Sequence, residues 1–152
     1  MKIAVGGDHA GFPLRGAVSR ALADWGHEVL LYGPDKPEPV DFPDVAQLVC
    51  GAVTRGEADK AIMLCGTGIG ACMAANKISG IRAALCHDLY SARQCVEHDD
   101  ANVLCLGAQI VGEFMAIELI QSFLGAHMSD EEQFRRRVAK LNAMDRRRIE
   151  EK

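Results

Sequence analysis

The chain has no run of about 18 apolar residues, so nothing in its 152 residues reads as a membrane-spanning helix. It has no Cys-x-x-Cys pair. The six cysteines, at 50, 65, 72, 86, 95 and 105, stand apart and mostly in apolar stretches. That spacing argues against a zinc site or a disulfide framework and for reduced thiols. No signal-peptide pattern precedes Met1-Lys2-Ile3-Ala4-Val5, which reads directly as a strand, so the expected compartment is the cytoplasm. No internal repeat and no low-complexity segment is present. The dinucleotide fingerprint is missing, because Gly6-Gly7-Asp8-His9-Ala10-Gly11 carries its glycines at the wrong spacing. A Walker lysine is missing too, since Gly66-Thr67-Gly68-Ile69-Gly70 runs on into Ala71. Both common kinds of nucleotide binding are therefore disfavoured.

Positive charge is not in excess either. The net charge of −4 weighs against nucleic acid as a partner. Eight of the 17 basic residues do gather in the last twenty positions, among them Arg135-Arg136-Arg137 and Arg146-Arg147-Arg148. Acidic residues are interleaved with them, so this tail reads as a solvated helical face.

What is present is a globular composition, 49% hydrophobic and 25% charged, in a length that suits one domain. Apolar runs alternate with helical patterns. Strands are expected at Lys2–Gly6, Glu28–Tyr32, Lys60–Leu64, Ile81–Leu85 and Val103–Leu106. Helices are expected at Pro13–Trp25, from Pro43 to about Arg55, at Ala71–Asn76, Leu89–Glu97 and Gly112–Leu124. Near-continuous apolar strands separated by single helices imply an α/β fold with a parallel sheet covered on both faces.

In such folds ligands collect beyond the carboxyl ends of the strands. Polar groups fall there at Asp8-His9, at Cys65, at His87-Asp88 and at Gln109. The third strand leads into Cys65-Gly66-Thr67-Gly68-Ile69-Gly70, a glycine-rich turn that opens a helix. Unpaired N–H groups in such a turn point at one spot and favour an anion. The same N–H groups are expected to lower the pKa of a cysteine at their mouth, making it a base or nucleophile. A cysteine after a strand is also an ordinary core residue. The three glycines, which let a ligand approach the backbone, favour the chemical reading.

Taken together, Gly7-Asp8-His9-Ala10-Gly11, Val40-Asp41-Phe42-Pro43-Asp44, Cys65-Gly66-Thr67-Gly68-Ile69-Gly70, Ala74-Ala75-Asn76-Lys77, Gly80-Ile81-Arg82-Ala83-Ala84 and Asn102-Val103-Leu104 resemble the type B ribose-5-phosphate isomerases. That family includes the subunits of galactose-6-phosphate isomerase. The resemblance runs through essentially the whole chain. It implies a Rossmann-like three-layer sandwich with a five-stranded parallel sheet, one domain over 1–152, and a C-terminal helical extension from about 130 that packs on a partner subunit. It also implies a homodimer or homotetramer with sites at the subunit interface, a small-molecule sugar or sugar phosphate as ligand, and no metal or organic cofactor.

By the same resemblance the reaction is aldose–ketose interconversion through a cis-enediolate. Cys65 is the base that carries the proton between C2 and C1, Thr67 assists at the O1 and O2 hydroxyls, and Asp8 contacts sugar hydroxyls. His98 of the neighbouring subunit opens the ring, and His9 helps bind a distal phosphate. The N–H groups of Gly66, Gly68, Ile69 and Gly70 cradle the enediolate. Asp99, Gln109, Gln133 and Arg137 complete the substrate contacts.

Departures from the family pattern bear on the substrate. Gln109 stands where Arg is common, and Asp130-Glu131-Glu132-Gln133 replaces a Gly-Gly-Arg-His segment, leaving Arg137 from a phosphate-binding set of three arginines. Each lost guanidinium removes a contact worth about 1.5–3 kcal/mol. Losing two weakens phosphate affinity by roughly a hundredfold unless Arg135, Arg136 or His9 compensates. Asp99 replaces Asn, and Phe42 stands where Tyr is frequent. Ribose 5-phosphate and ribulose 5-phosphate are the leading pair. Another four- to six-carbon sugar phosphate, a free rare aldose, a non-catalytic sugar binder and a redox-sensing thiol protein remain as alternatives.

Overall fold

The computed structural model describes residues 1–150, with side chains to Asp145. The side chains of Arg146-Arg147-Arg148 thus lie outside the described residues. The elements are β1 (Lys2–Gly7), α1 (Phe12–Asp24), β2 (Glu28–Tyr32), α2 (Phe42–Thr54), β3 (Lys60–Cys65), α3 (Ile69–Ala75), β4 (Ala83–Leu85), α4 (Leu89–Asp99), β5 (Val103–Gly107), α5 (Glu113–Gly125) and α6 (Glu132–Glu150).

All strands are parallel, in the order β2-β1-β3-β5-β4. The chain steps outward from β1 to β2 and then returns to the other side of β1 to lay down β3. That reversal opens a crevice at the carboxyl ends of β1 and β3, where two loops part in opposite directions.

The strands alternate their side chains between two faces. Ile3, Val5, Ile62, Leu64, Leu104 and Leu106 meet α1, α4 and α5 through Leu22, Val96, Ile120 and Phe123. Ala4, Ala61, Met63, Cys65, Val103 and Cys105 meet α2 and α3 through Val49, Cys50, Ala71 and Ala75. This is the three-layer sandwich expected from the alternation, and each fully buried aliphatic side chain stabilises it by about 1.5–3 kcal/mol. Cys65 therefore leaves β3 on the α2–α3 face.

Two of the boundaries that differ from expectation have clear local reasons. β4 begins at Ala83 rather than Ile81 because the Arg82 N–H is taken by Asn102 Oδ1 at 2.8 Å, outside the strand ladder. α3 begins at Ile69, since the left-handed Gly68 (φ +79°) ends the turn there. α6 lies against α4 of its own chain. The His98 and Phe134 rings stack at 3.8 Å, Arg82 Nη1 donates to Asn142 Oδ1 at 3.3 Å, and the Gly80 N–H donates to Asp145 at 2.8 Å. Among the described residues no helix is long and apolar enough to cross a membrane.

Candidate active site

β1 and β3 end on the two residues that matter most. After Gly7 the chain turns, and Asp8 Oδ1 accepts the N–H groups of Ala10 and Gly11, both at 2.9 Å. Asp8 is the buried charged side chain among the described residues, only 7% exposed. Its second oxygen, Oδ2, accepts a hydrogen bond from Cys65 Sγ at 3.1 Å. The topology brings together residues 57 positions apart in sequence.

The turn after Cys65 is built on close approach. A Cβ on Gly68 would strike Leu85 Cδ1 at 2.6 Å, besides being strained at its positive φ. Gly107, paired with Cys65 in the sheet, lies so close to Thr67 that a Cβ would meet its carbonyl at 2.7 Å. The backbone N–H groups of Gly66 and Gly68 lie near enough to the Cys65 sulfur to favour a negative charge on it.

The thiol pKa is nevertheless raised, which overturns the expected lowering. Burial is the largest cause, followed by the hydrogen bond to Asp8 and the negative charge of that carboxylate. The N–H groups of Gly68 and Gly66 pull the other way and lose. α3, only seven residues long, adds little dipole to help them.

Around this pair stand several of the expected residues. Thr67 is exposed, and its Oγ1 accepts the Ile69 N–H at 3.4 Å. Ile69 is half exposed on the first turn of α3. The Phe42 ring covers Gly70, 3.0 Å from where a Cβ would stand. Gln109 donates its backbone N–H to the Gly66 carbonyl at 3.0 Å and lays its side-chain oxygen against Gly66. His9 is exposed beside a cavity of about 680 Å³ that Asp41 and Asp44 also line.

His87 had no role assigned from its place after strand four. Its Nε2 accepts the Gly107 N–H at 3.0 Å, which fixes the proton on Nδ1 and caps β5 beyond the end of the short β4. A polar residue just past the fourth strand was the signal available for it. Asp88 caps α4 by accepting the Ser91 N–H at 2.8 Å.

His98, Asp99, Gln133 and Arg137 form a separate group. Both His98 and Asp99 end α4, which runs back from β4 toward the start of β5. The neighbouring Asp100 holds Arg82 at 2.6 Å, just before β4, so this group sits at the amino edge of the sheet. His98 stacks on Phe134, and the Arg137 guanidinium lies 5.6 Å from the same ring. Gln133 donates to Glu131 at 2.8 Å, and Asp99 faces a cavity of about 380 Å³ beneath α6. Five residue steps along β3, from Lys60 to Cys65, separate the two edges, about 16 Å. Within one chain the fold therefore keeps these four residues away from Cys65.

The other thiols pair among themselves. Cys72 hydrogen-bonds with Cys105 and Cys86 with Cys95, all as free thiols, so neither Cys72 nor Cys86 is held against Cys65 as a resolving thiol would be. Among the described residues no group of three or more His, Cys, Asp or Glu side chains is placed to hold a metal ion.

Comparison with known proteins agrees with this fold. The Ribose/Galactose Isomerase family matches residues 3–141. Ribose-5-phosphate isomerase B of Escherichia coli is 40% identical, over 97% of this chain and 98% of its own length. D-erythrulose-4-phosphate isomerase of Pectobacterium atrosepticum is 41% identical, over 83% of this chain and 84% of its own. The solved structure of Clostridium thermocellum ribose-5-phosphate isomerase B superposes with a TM-score of 0.93 at 40% identity, covering 97% of this chain and 99% of that one. A five-stranded parallel sheet, a glycine nest closed on Cys65 at the β1–β3 reversal and matches along nearly the whole length lead to one conclusion: the chain belongs to the ribose/galactose isomerase family.

Proposed function

We propose that this isomerase interconverts an aldose phosphate and its ketose through a cis-enediolate, with Cys65 as the base. The observation that carries the reading is the Cys65 sulfur at the β1–β3 crevice, between the Gly66 and Gly68 N–H groups and the Asp8 carboxylate. A thiolate there takes the C2 proton and returns it to C1. The negative oxygen that develops meets backbone N–H groups already aimed and fixed, the arrangement that stabilises charge most effectively in a water-poor site. Thr67 stands exposed at the same mouth for the O1 and O2 hydroxyls.

Ring opening falls to His98 of the partner subunit in a cytoplasmic homodimer, because the His98 of the same chain lies at the far edge of its sheet. His9 and the partner subunit's Arg137 are then the groups for the distal phosphate. Retention of a proton-transfer cysteine with its acceptor argues against a binder without turnover.

Ribose 5-phosphate and ribulose 5-phosphate are the leading pair. A four-carbon sugar phosphate is the second reading, favoured by the 41% identity to an erythrulose-4-phosphate isomerase and by the two missing arginines. The test is a panel of phosphorylated and free aldoses and ketoses, with products and solvent deuterium at C2 read by NMR. Cys65→Ala should abolish both isomerisation and exchange on the best substrate, and Cys65→Ser should keep little of either, since a hydroxyl is far less acidic than a thiol. Near-normal turnover in Cys65→Ala would sink the mechanism.

A further inference from the structure

We propose that Asp8 is a clamp that substrate releases: it holds the Cys65 sulfhydryl proton in the free protein and yields it when a sugar hydroxyl donates to the same carboxylate oxygen. The inference rests on the reading of Cys65 as the base and adds how that base is switched on.

The geometry leaves Asp8 little freedom. One carboxylate oxygen is occupied by two backbone N–H groups at 2.9 Å. The other faces Cys65 at 3.1 Å and takes neither of those N–H groups, which leaves it as the oxygen for a ligand hydroxyl. The sulfur thus stands between two opposing sets of partners. The carboxylate accepts its proton and repels a negative charge on sulfur, whereas the Gly66 and Gly68 N–H groups favour that charge.

No other group upsets this balance. On β5 the Cys105 thiol is near Cys65, and its hydrogen bond with Cys72, then burial, hold it well above the ordinary range, so it stays neutral. Cys50 of α2, in the same cluster, is pushed up to about 12 by burial. Cys72 of α3 is turned toward Cys105 and the Ala83 carbonyl. His87 is held on the Gly107 N–H, and the Gln109 side chain over Gly66 carries no charge. Asp8 is the one charged lever on this sulfur among the described residues.

When a sugar hydroxyl donates to Oδ2, it shares that acceptor, and its dipole offsets the carboxylate charge felt at sulfur. The Gly66 and Gly68 N–H groups then prevail. The S–H bond breaks, its proton passes to water, the electron pair stays on sulfur, and the hydroxyl hydrogen remains on the sugar. The thiolate so formed takes the C2 proton. Before substrate arrives the protein carries a neutral thiol, which resists oxidation and alkylation.

Two measurements on the whole protein decide the matter. In the first, iodoacetamide alkylation of Cys65 is followed from about pH 6 to about pH 10, spanning an ordinary thiol. It is read by fragmenting the peptide between Lys60 and Lys77, which carries both Cys65 and Cys72. Asp8→Asn keeps an oxygen for the Ala10 and Gly11 N–H groups but removes the charge. Its midpoint should fall by about one pH unit, making alkylation roughly tenfold faster below both midpoints with the high-pH plateau unchanged. An unmoved midpoint overturns the proposal.

The second measurement uses the unaltered protein, so it stands even if Asp8→Asn folds poorly. The pH profile of kcat/KM reports the free enzyme, and that of kcat reports the substrate complex. With ribose 5-phosphate as the probe, or D-erythrulose 4-phosphate if that is turned over faster, the acid limb of kcat should lie about one pH unit below that of kcat/KM. Coincident limbs overturn the proposal. Turnover surviving in Cys65→Ala would overturn the Cys65 reading itself, whereas an inactive Cys65→Ala with an unmoved Asp8→Asn midpoint would remove only the clamp.

Discussion

Gln109, which stands where Arg is common, and Gln133, in the segment that replaces Gly-Gly-Arg-His, fall in different halves of the proposed composite site, and their effects should separate. Gln133 lies on the first turn of α6 near Arg137, remote from the proton transfer. Gln133→Arg should lower KM for phosphorylated sugars by roughly tenfold with kcat little changed, because a remote guanidinium adds uniform binding. Gln109 touches Gly66 beside Cys65, so Gln109→Arg should move kcat as well. Asp99→Asn should lower KM in the same direction by removing a carboxylate from the anion's neighbourhood. Arg135 and Arg136 already pair with Asp130 and Glu132, the latter at 2.8 Å, and they do not fill the vacancy as they stand. Steady-state kinetics of the single variants checks this, and a KM that ignores all three would place the phosphate elsewhere. The thiols differ just as sharply. Hydrogen bonding from Cys105, aided by Asn76, brings half-buried Cys72 down to about 7, while burial and then the Asp8 carboxylate keep Cys65 up. At neutral pH and without substrate, iodoacetamide should therefore label Cys72 before Cys65. The reverse order would mean that the Asp8 contact does not hold in solution.

At the scale of elements, the turn between β3 and α3 concentrates the strain. Gly68→Ala forces a side chain into the left-handed region, costing about 1–2 kcal/mol, and drives it into Leu85 and the Leu106 backbone. Urea unfolding should show a loss of roughly 1–3 kcal/mol, and kcat should drop because the Gly68 N–H turns off the sulfur. Full activity with that loss would free Gly68 of any catalytic part. The strands and helices were legible in the sequence because Ala61-Ile62-Met63-Leu64 and its counterparts are apolar throughout, as strands buried on both faces must be. The nest was legible because Gly66, Gly68 and Gly70 have few other reasons to cluster. The ionisation of Cys65 was not legible, since its direction is set by burial and then by Asp8, both of which arise only when β1 and β3 become neighbours. Nor could periodicity locate the start of β4, which the Asn102 and Asp100 side chains decide from 18 to 20 residues away. The role of His87 as a cap on Gly107 depends on β4 being three residues long, a length no local pattern announces.

At the scale of the whole molecule, the parallel sheet imposes a direction on everything attached to it. Cys65 ends a strand and so lies at the carboxyl edge, whereas His98 ends a helix that runs back and so lies at the amino edge. No side-chain motion within one chain closes a gap of about 16 Å. If both residues serve one reaction, two copies must meet so that each lends its amino-edge group to the other's crevice, which a twofold axis accomplishes twice over. The expectation follows from counting sites. Cys65→Ala and His98→Asn homodimers should each be inactive on a cyclic aldose. In a mixed dimer one site inherits both defects, and the other pairs the intact Cys65 of the His98→Asn chain with the intact His98 of the Cys65→Ala chain. Equal mixing with free exchange makes half the dimers mixed, each with one good site of two, so about a quarter of wild-type activity should return. The recovered activity should appear at the rate of subunit exchange, and an open-chain substrate should reduce the dependence on His98 before any mixing. Mixed dimers verified by mass spectrometry that regain nothing would show that His98 and Cys65 do not share a site, and ring opening would then have to be sought among the residues at the carboxyl edge itself, with His9 and His87 first in reach.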